Sequence, residues 1–206
     1  PLASLDANLR ASLRIELKQL HEKLGITFLM VTHDQTEALV MADRVVLMND
    51  GNIVQQGTPN EIYEQPSSTY VANFIGSTNL LQGKVTTKTD IGYTVLIGSS
   101  EVQVVNTGDF NVGEDINLCI RPEKAFITSA SSVNEKRNSL PATVDEILYH
   151  GNTVRLRACL ETKEMFLMDV QLTELGTQQS LPSKGDTICI SFNHESSIVF
   201  PWEDLQ

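Results

Sequence analysis

The distribution of apolar residues changes near residue 78, and this change limits the fold more than any other feature of the chain. Residues 1–78 alternate between helix-like and strand-like runs, the pattern of an α/β layer structure. In residues 79–206, Gly, Asn, Asp, Ser or Pro interrupt short apolar runs about every 8 to 12 residues, as in a small β sandwich or barrel. We therefore predict an α/β domain over 1–78 and an all-β, OB-like barrel over 79–206, and we expect the barrel to fold alone.

A stripe of leucines opens the first domain. The leucines recur three or four residues apart, as on one face of a helix: Leu9, Leu13, Leu17, Leu20 and Leu24. Asp6 can cap the start of this helix and Gly25 its end. Residues 27–32 are apolar and partly β-branched, which predicts a strand buried on both faces. A second helix over 35–41 follows, with Asp34 as its N-cap.

Turn and cap signals organise the rest of this domain. Asp50-Gly51 is a dipeptide preferred in two-residue hairpin turns, and it lies between strand-like runs at 44–48 and 53–56. The run from Thr58 to Glu61 has the arrangement of a capping box with proline at the first helical position. Two short helices are expected: one from this box to Glu64, and one over 68–75 closed by Gly76.

The second half reads as a series of short strands. Eight are expected: 81–85, 93–97, 102–105, 116–120, 142–148, 153–159, 165–170 and 187–192. Residues 129–139 are polar and unpatterned, which indicates an exposed loop. Gly113-Glu-Asp and Gly185-Asp-Thr precede similar strands, which leaves open a weak internal duplication within the second half of the chain.

Composition excludes several functional classes. The 15 basic and 26 acidic residues give a formal charge of −11, which would repel phosphate backbones and anionic lipids. OB-like barrels can bind single-stranded nucleic acid, but only 6% of the residues are aromatic, so we predict no nucleic-acid partner. There is no run of roughly 20 apolar residues and no signal-peptide pattern at the start. The three cysteines are widely spaced, which favours buried reduced thiols over a metal site.

His33 is the strongest candidate for chemistry. It ends an apolar run and begins a polar turn, where α/β sheets present side chains to ligands. Such a histidine is more often a capping or core-edge residue, and Asp6 has a similarly structural interpretation as an N-cap. Only the surrounding sequence favours a functional role for either residue.

Several segments, in order, resemble the ABC transporter ATPase family. Residues 1–6, Pro-Leu-Ala-Ser-Leu-Asp, are similar to the segment that carries the D-loop, although Ala3-Ser4 reverses an order common in the family. Residues 31–39, Val-Thr-His-Asp-Gln-Thr-Glu-Ala-Leu, resemble the strand and switch-histidine loop. Four later segments resemble the end of the nucleotide-binding domain in importers of the polyamine, iron, sulfate and maltose type: 42–45, 49–53, 57–59 and 62–66.

This resemblance implies the C-terminal part of a P-loop ATPase domain that binds ATP and Mg²⁺ and forms a homodimer. His33 would be the catalytic switch residue at the γ-phosphate, and Thr32 and Asp34 would support its loop. No GxxxxGK[ST] loop, glutamine loop or signature motif is present, so we expect these residues alone not to hydrolyse ATP. The D-loop residues at the dimer interface would be Ser4, Leu5 and Asp6.

The resemblance also implies an energy-coupling subunit of an importer, of the polyamine (spermidine/putrescine) type by the motifs at 121–123 and 149–153. Its partners would be transmembrane permease subunits and, indirectly, a periplasmic or lipid-anchored solute-binding protein. Such a subunit would be cytoplasmic and peripheral on the inner face of the cell membrane.

The β half resembles the OB-like regulatory domain called TOBE, on residues 79–83, 120–123 and 151–155. By this resemblance, Arg121, Pro122 and Glu123 form a turn on a regulatory surface. The structural alternative is a local ion pair between Arg121 and Glu123, worth at most about 1 kcal/mol if exposed. The alternative function for the chain is a non-catalytic β-barrel that binds a small ligand or a protein.

Overall fold

The computed structural model describes residues 7–105, 108–128, 137–172 and 181–203. The chain divides into two compact units, the first ending at Gly76 and the second beginning at Ser77. None of the described helices combines the length and the apolar composition needed to cross a bilayer.

Four helices and one hairpin make up the described part of the first unit: α1 Ala7–Leu24, α2 Gln35–Met41, β1 Val45–Asn49, β2 Asn52–Gly57, α3 Pro59–Glu64 and α4 Thr69–Phe74. The predicted signals at the described helix ends are confirmed. Gly25 has a φ of 62° after α1, and the side chain of Asp34 caps α2. Thr58 and Glu61 form the capping box of α3. The structure adds a cap that was not predicted, because the side chain of Ser68 accepts from the N–H of Val71 at the start of α4.

The predicted hairpin is also confirmed. Asp50 and Gly51 have φ values of 48° and 80°, the left-handed conformation that this two-residue turn requires. The two strands pair antiparallel. A small apolar core joins the hairpin to α3 and the end of α4: Val45, Leu47, Ile62, Val71 and Ile75.

Residues 27–32 are not a strand in the structure, so this prediction is wrong for the described chain. A strand needs a neighbour to pair its N–H and C=O groups, and no described segment pairs with 27–32. The side chains of Leu29 and Val31 are therefore 93% and 94% exposed. The leucine stripe of α1 is also uncovered in part, with Leu24 53% exposed. The described residues thus form helices and a hairpin, and the α/β layer stays a prediction.

Ten strands make up the described part of the second unit: β3 Asn79–Lys88, β4 Gly92–Ile97, β5 Ser100–Val105, β6 Asp115–Ile120, β7 Ala125–Thr128, β8 Arg137–His150, β9 Thr153–Leu160, β10 Met165–Gln171, β11 Thr187–Asn193 and β12 Ser197–Pro201. They form two five-stranded antiparallel sheets, in the orders β12-β6-β3-β4-β5 and β10-β9-β8-β11-β7. Buried side chains of both sheets share one apolar core. The all-β prediction and all eight predicted strands are confirmed. Residues 137–139 belong to β8 rather than to the predicted loop, and 129–136 lie outside the described residues.

The two strands that the sequence pattern does not predict, β7 and β12, are the ones that cross between the sheets. A 3₁₀ turn over Pro122–Lys124 takes the chain from β6 in the first sheet to β7 in the second. A matching 3₁₀ turn over His194–Ser196 takes it from β11 in the second sheet back to β12 in the first. Each sheet is thus completed by a strand from the other half of the unit.

This exchange establishes the internal duplication that the two similar turns suggested. Gly113 and Gly185 have φ values of 90° and 91°. Their N–H groups donate to the carbonyls of Val85 at 2.7 Å and Val144 at 2.8 Å, respectively. A register shift follows each valine, in the β3–β4 pair and in the β8–β9 pair. The segments β3–β7 and β8–β12 are therefore two copies of one motif.

Candidate functional site

The predicted switch loop lies between the extended segment and α2, and its two flanking residues are fixed. Thr32 Oγ1 accepts from the N–H of Asp34 at 2.9 Å and donates to Glu37 Oε2 at 2.7 Å. Asp34 Oδ1 accepts from the N–H groups of Thr36 and Glu37, at 2.8 and 3.2 Å. His33, between these two residues, is exposed. The structure therefore brings Thr32, His33 and Asp34 together on a loop that holds its backbone and presents the imidazole.

Arg14 of α1 forms ion pairs with Asp34 of this loop and with Glu37 of α2. Its Nη2 atom lies 2.8 Å from Asp34 Oδ2 and 3.5 Å from Glu37 Oε1. Burial alone would raise the pKa of Asp34, but the N–H of Glu37, the guanidinium of Arg14 and the N–H of Thr36 together hold it below its usual range. The sequence pattern does not predict Arg14 or Glu37 as part of the site, because no local motif marks a contact between residues about 20 positions apart.

The predicted dimer-interface residues Ser4, Leu5 and Asp6 lie outside the described residues. Within the described ranges, no group of three or more His, Cys, Asp or Glu side chains could hold a metal ion.

The Arg-Pro-Glu turn belongs to the second unit and follows β6. Arg121 is only 3% exposed, and its Nη1 atom donates to the carbonyl of Ser77 at 3.2 Å. Pro122 is buried at the start of the 3₁₀ turn, and Glu123 is exposed. The turn closes through the N–H of Lys124, which donates to the carbonyl of Arg121 at 3.0 Å. Arg121 therefore holds the first residue of the unit from within the fold, while Glu123 lies at its surface.

Two buried asparagines that the sequence pattern does not predict join the two sheets. Asn79 of β3 accepts from the N–H of Leu167 at 2.6 Å and donates to its carbonyl at 2.8 Å. Asn138 of β8 makes the same pair of bonds with Gln103 of β5, both at 2.7 Å. Since β5 and β10 are edge strands, each asparagine satisfies main-chain groups on the free edge of the opposite sheet.

Comparisons with known proteins agree with this architecture. A family model described as the TOBE domain matches residues 118–200. The spermidine/putrescine import ATP-binding protein PotA of Legionella pneumophila (strain Lens) is 42% identical over 162 residues, which are 79% of this chain and 44% of that protein. PotA of Thermotoga maritima is 35% identical over 201 residues, 97% of this chain and 55% of that protein. PotA of Nitratidesulfovibrio vulgaris is 33% identical over 205 residues, 99% of this chain and 53% of that protein. The chain thus spans about half the length of these curated relatives.

Among solved structures, the cytoplasmic molybdate-binding protein ModG aligns over 66% of this chain and 99% of its own, with a TM-score of 0.52. At 14% sequence identity, this likeness supports the all-β fold alone. The TOBE match and the relatives that align across both units are decisive for the family. The chain belongs to the ABC transporter ATP-binding subunits that carry a TOBE domain, as a C-terminal part of such a subunit.

Proposed function

We propose that the intact subunit couples ATP hydrolysis to the uptake of a polyamine such as spermidine or putrescine, and that His33 is its catalytic switch residue. The observation that carries the proposal is the exposed imidazole of His33 on a loop whose neighbours Thr32 and Asp34 are fixed by hydrogen bonds. The polyamine substrate is inferred from the relatives, which are spermidine/putrescine import ATP-binding proteins.

ATP and Mg²⁺ would be the groups bound beside this loop in the intact subunit, and ATP supplies the phosphoryl group that is transferred to water. His33 fits the phosphate end of ATP, because one nitrogen of a neutral imidazole can donate a hydrogen bond to a phosphate oxygen while the other nitrogen accepts one from a neighbouring donor. The carboxylates of Asp34 and Glu37 are already engaged by Arg14, so they support the loop rather than hold the metal ion. Thr32 and Asp34 then keep the His33 backbone from moving when the ligand arrives.

The assembly proposed around this site is a homodimer of the subunit, with Ser4, Leu5 and Asp6 at the interface. Transmembrane permease subunits would bind the dimer on the inner face of the cell membrane, and a periplasmic or lipid-anchored solute-binding protein would deliver the polyamine. The chain of 206 residues would not turn over ATP alone, since it contains no GxxxxGK[ST] loop.

The test is His33→Ala in the intact subunit, assembled with its permease. We expect ATP to bind within about twofold of the wild type and the turnover number to fall about 100-fold or more, the usual loss when one positioned donor is removed. The matched control is His150→Ala, which removes an exposed histidine from the β8–β9 hairpin of the other unit and should leave turnover unchanged.

Near-normal turnover in His33→Ala would refute the catalytic role. If the intact subunit itself bound no ATP, the alternative function of a non-catalytic β-barrel that binds a small ligand or a protein would take its place.

A further inference from the structure

The residues on either side of His33 belong to one closed ring of polar contacts, formed by Thr32, Asp34, Glu37 and Arg14. Thr32 Oγ1 accepts from the N–H of Asp34 at 2.9 Å and donates to Glu37 Oε2 at 2.7 Å. Glu37 Oε1 lies 3.5 Å from Arg14 Nη2, and the same nitrogen donates to Asp34 Oδ2 at 2.8 Å. The ring therefore includes the residues before and after His33 but not His33 itself.

Arg14 supplies the positive charge of this ring from another element. It lies on α1, 20 residues before Asp34 in the sequence. The side chains of Arg14 and Glu37 are 12% and 13% exposed, so water and salt screen their attraction less than at an open surface. Without Arg14, the carboxylates of Asp34 and Glu37 would lose the cation that joins them, and two carboxylates this close repel each other.

The consequence of that repulsion would reach the backbone on both sides of His33. If the carboxylate of Glu37 moved away, the hydroxyl of Thr32 would lose the acceptor that fixes it. If the carboxylate of Asp34 moved away, the first N–H groups of α2 would lose their cap. Either change loosens a residue next to His33, although none of these groups needs to touch a ligand.

A second cation on α1 separates this role from simple packing of α1 against α2. Lys18 lies four residues after Arg14, so the two side chains lie on the same face of the helix. The Nζ atom of Lys18 donates to the carbonyl of Val40 at 3.4 Å, near the end of α2. Both cations contact the α2 segment, and of the two it is Arg14 that reaches the switch loop.

We propose that Arg14 is a positioning residue for His33, and that it acts by joining the carboxylates of Asp34 and Glu37 so that the ring around the switch loop stays closed. The proposal rests on the proposed function, since it concerns the turnover that His33 supports. It adds a residue outside the switch loop to the set that this turnover requires.

The first experiment compares Arg14→Met with Lys18→Met in the intact subunit assembled with its permease. Arg14→Met should lower the turnover number about tenfold or more, because a small displacement of a positioned group is costly. The KM for ATP should change less than about twofold, since the arginine acts through the loop and not on the ligand. Lys18→Met, which also removes a cation between α1 and α2, should stay within about twofold of the wild type. Equal turnover in the two variants would overturn the proposal.

The second experiment tests whether the charge of Arg14 is what matters. In Arg14→Met/Glu37→Gln, one negative charge is removed together with the positive one, and the glutamine oxygen can still accept from Thr32. The double variant should recover turnover at least about threefold relative to Arg14→Met. No recovery would mean that Arg14 does not act by joining the carboxylates, and it would refute the proposal. Should Arg14→Met not fold, Arg14→Lys replaces it in both comparisons, with a smaller loss expected because the charge is kept.

The third experiment tests whether Arg14 acts through His33. In the His33→Ala background, Arg14→Met should change the residual turnover by less than about twofold, because the group that it positions is already absent. A further loss of about tenfold would show that Arg14 serves turnover by another route, and that result would contradict the proposal.

A fourth readout does not depend on activity. In Arg14→Met, the amide hydrogens of Asp34, Thr36 and Glu37 should exchange about threefold faster or more, whereas those of the β1–β2 hairpin should be unchanged. Lys18→Met should leave both sets unchanged. Unchanged exchange at the three amides would refute positioning even if turnover fell. Failure of the proposed function has a different signature: normal turnover in His33→Ala, with faster exchange in Arg14→Met still observed.

Discussion

Asn79→Ala should destabilise the β unit more than Asn138→Ala, the same change at the second asparagine that joins its two sheets. Asn79 is 3% exposed and makes three hydrogen bonds, two with Leu167 and one to the carbonyl of Ile120 at 3.1 Å. At a net contribution of about 1 kcal/mol for each bond, the loss is about 3 kcal/mol. Asn138 makes two such bonds, both to Gln103, so Asn138→Ala should cost about 2 kcal/mol.

The single tryptophan makes the measurement selective for this unit. Trp202 follows β12 directly and is 44% exposed, so its fluorescence reports unfolding of the second unit. In urea, a loss of about 3 kcal/mol should lower the midpoint by about 1.5 to 2 M without changing the slope. In a thermal melt the same loss corresponds to about 10 °C.

The matched control is Gln82→Ala, an exposed side chain on the same strand as Asn79, which should change the free energy of unfolding by less than about 0.5 kcal/mol. The reasoning fails if Asn79→Ala unfolds within about 0.5 kcal/mol of the wild type, or if Asn138→Ala is clearly the more damaging change. The first result would mean that water replaces these bonds at the edge strand at little cost, and the second that the number of hydrogen bonds does not set the loss of stability.

Three further outcomes are expected. Gly113→Ala and Gly185→Ala should each cost about 1 to 2 kcal/mol in urea unfolding, and by similar amounts, because both glycines have a φ near 90° in equivalent turns. Burial raises the pKa of the Cys119 thiol, so in the native protein a thiol reagent should modify it about tenfold more slowly than the other two cysteines, as mass mapping would report. Since the pKa of Asp34 is lowered in the fold, its ionised form stabilises the first unit above the ordinary aspartate pKa, and this contribution is lost as the pH falls through the lowered value. The difference in free energy of unfolding between the wild type and Asp34→Asn, measured by circular dichroism, should therefore become smaller in acid.

Local signals in the sequence are enough to predict most elements of the first unit. The cap at Asp34, the capping box at Thr58 and the Asp50-Gly51 turn each satisfy main-chain groups within four residues, so their geometry follows from neighbouring side chains. The strand prediction for residues 27–32 is wrong for the opposite reason. Their pattern is that of a strand, but a strand is completed by a partner that local sequence does not supply.

The strands that escaped prediction are short and follow a 3₁₀ turn rather than a Gly or Asn turn. Ala125–Thr128 has four residues and Ser197–Pro201 has five. Each pairs with the neighbouring copy of the motif, so its sheet is decided by the fold rather than by its own sequence. The similar turns at Gly113 and Gly185 did signal the duplication, because they repeat a local backbone requirement.

Comparing the two copies of the motif distinguishes a residue that both copies share from one that only the first copy carries. Asn79 lies opposite Ile120 in the first copy, and Asn138 lies opposite Phe192 in the second, so the sheet-joining asparagines are equivalent and identical. The residues that follow these partners, Arg121 and Asn193, are equivalent in place but differ in chemistry.

In both copies the asparagine supplies hydrogen-bond partners for main-chain groups of an edge strand, which explains why it is shared. The first copy begins at the boundary between the units, and there the side chain at this turn reaches the carbonyl of Ser77. Asparagine at position 193 precedes the same kind of turn, so the turn itself does not require arginine. The arginine is therefore explained by its bond to Ser77, the first residue of the β unit, rather than by the 3₁₀ turn itself.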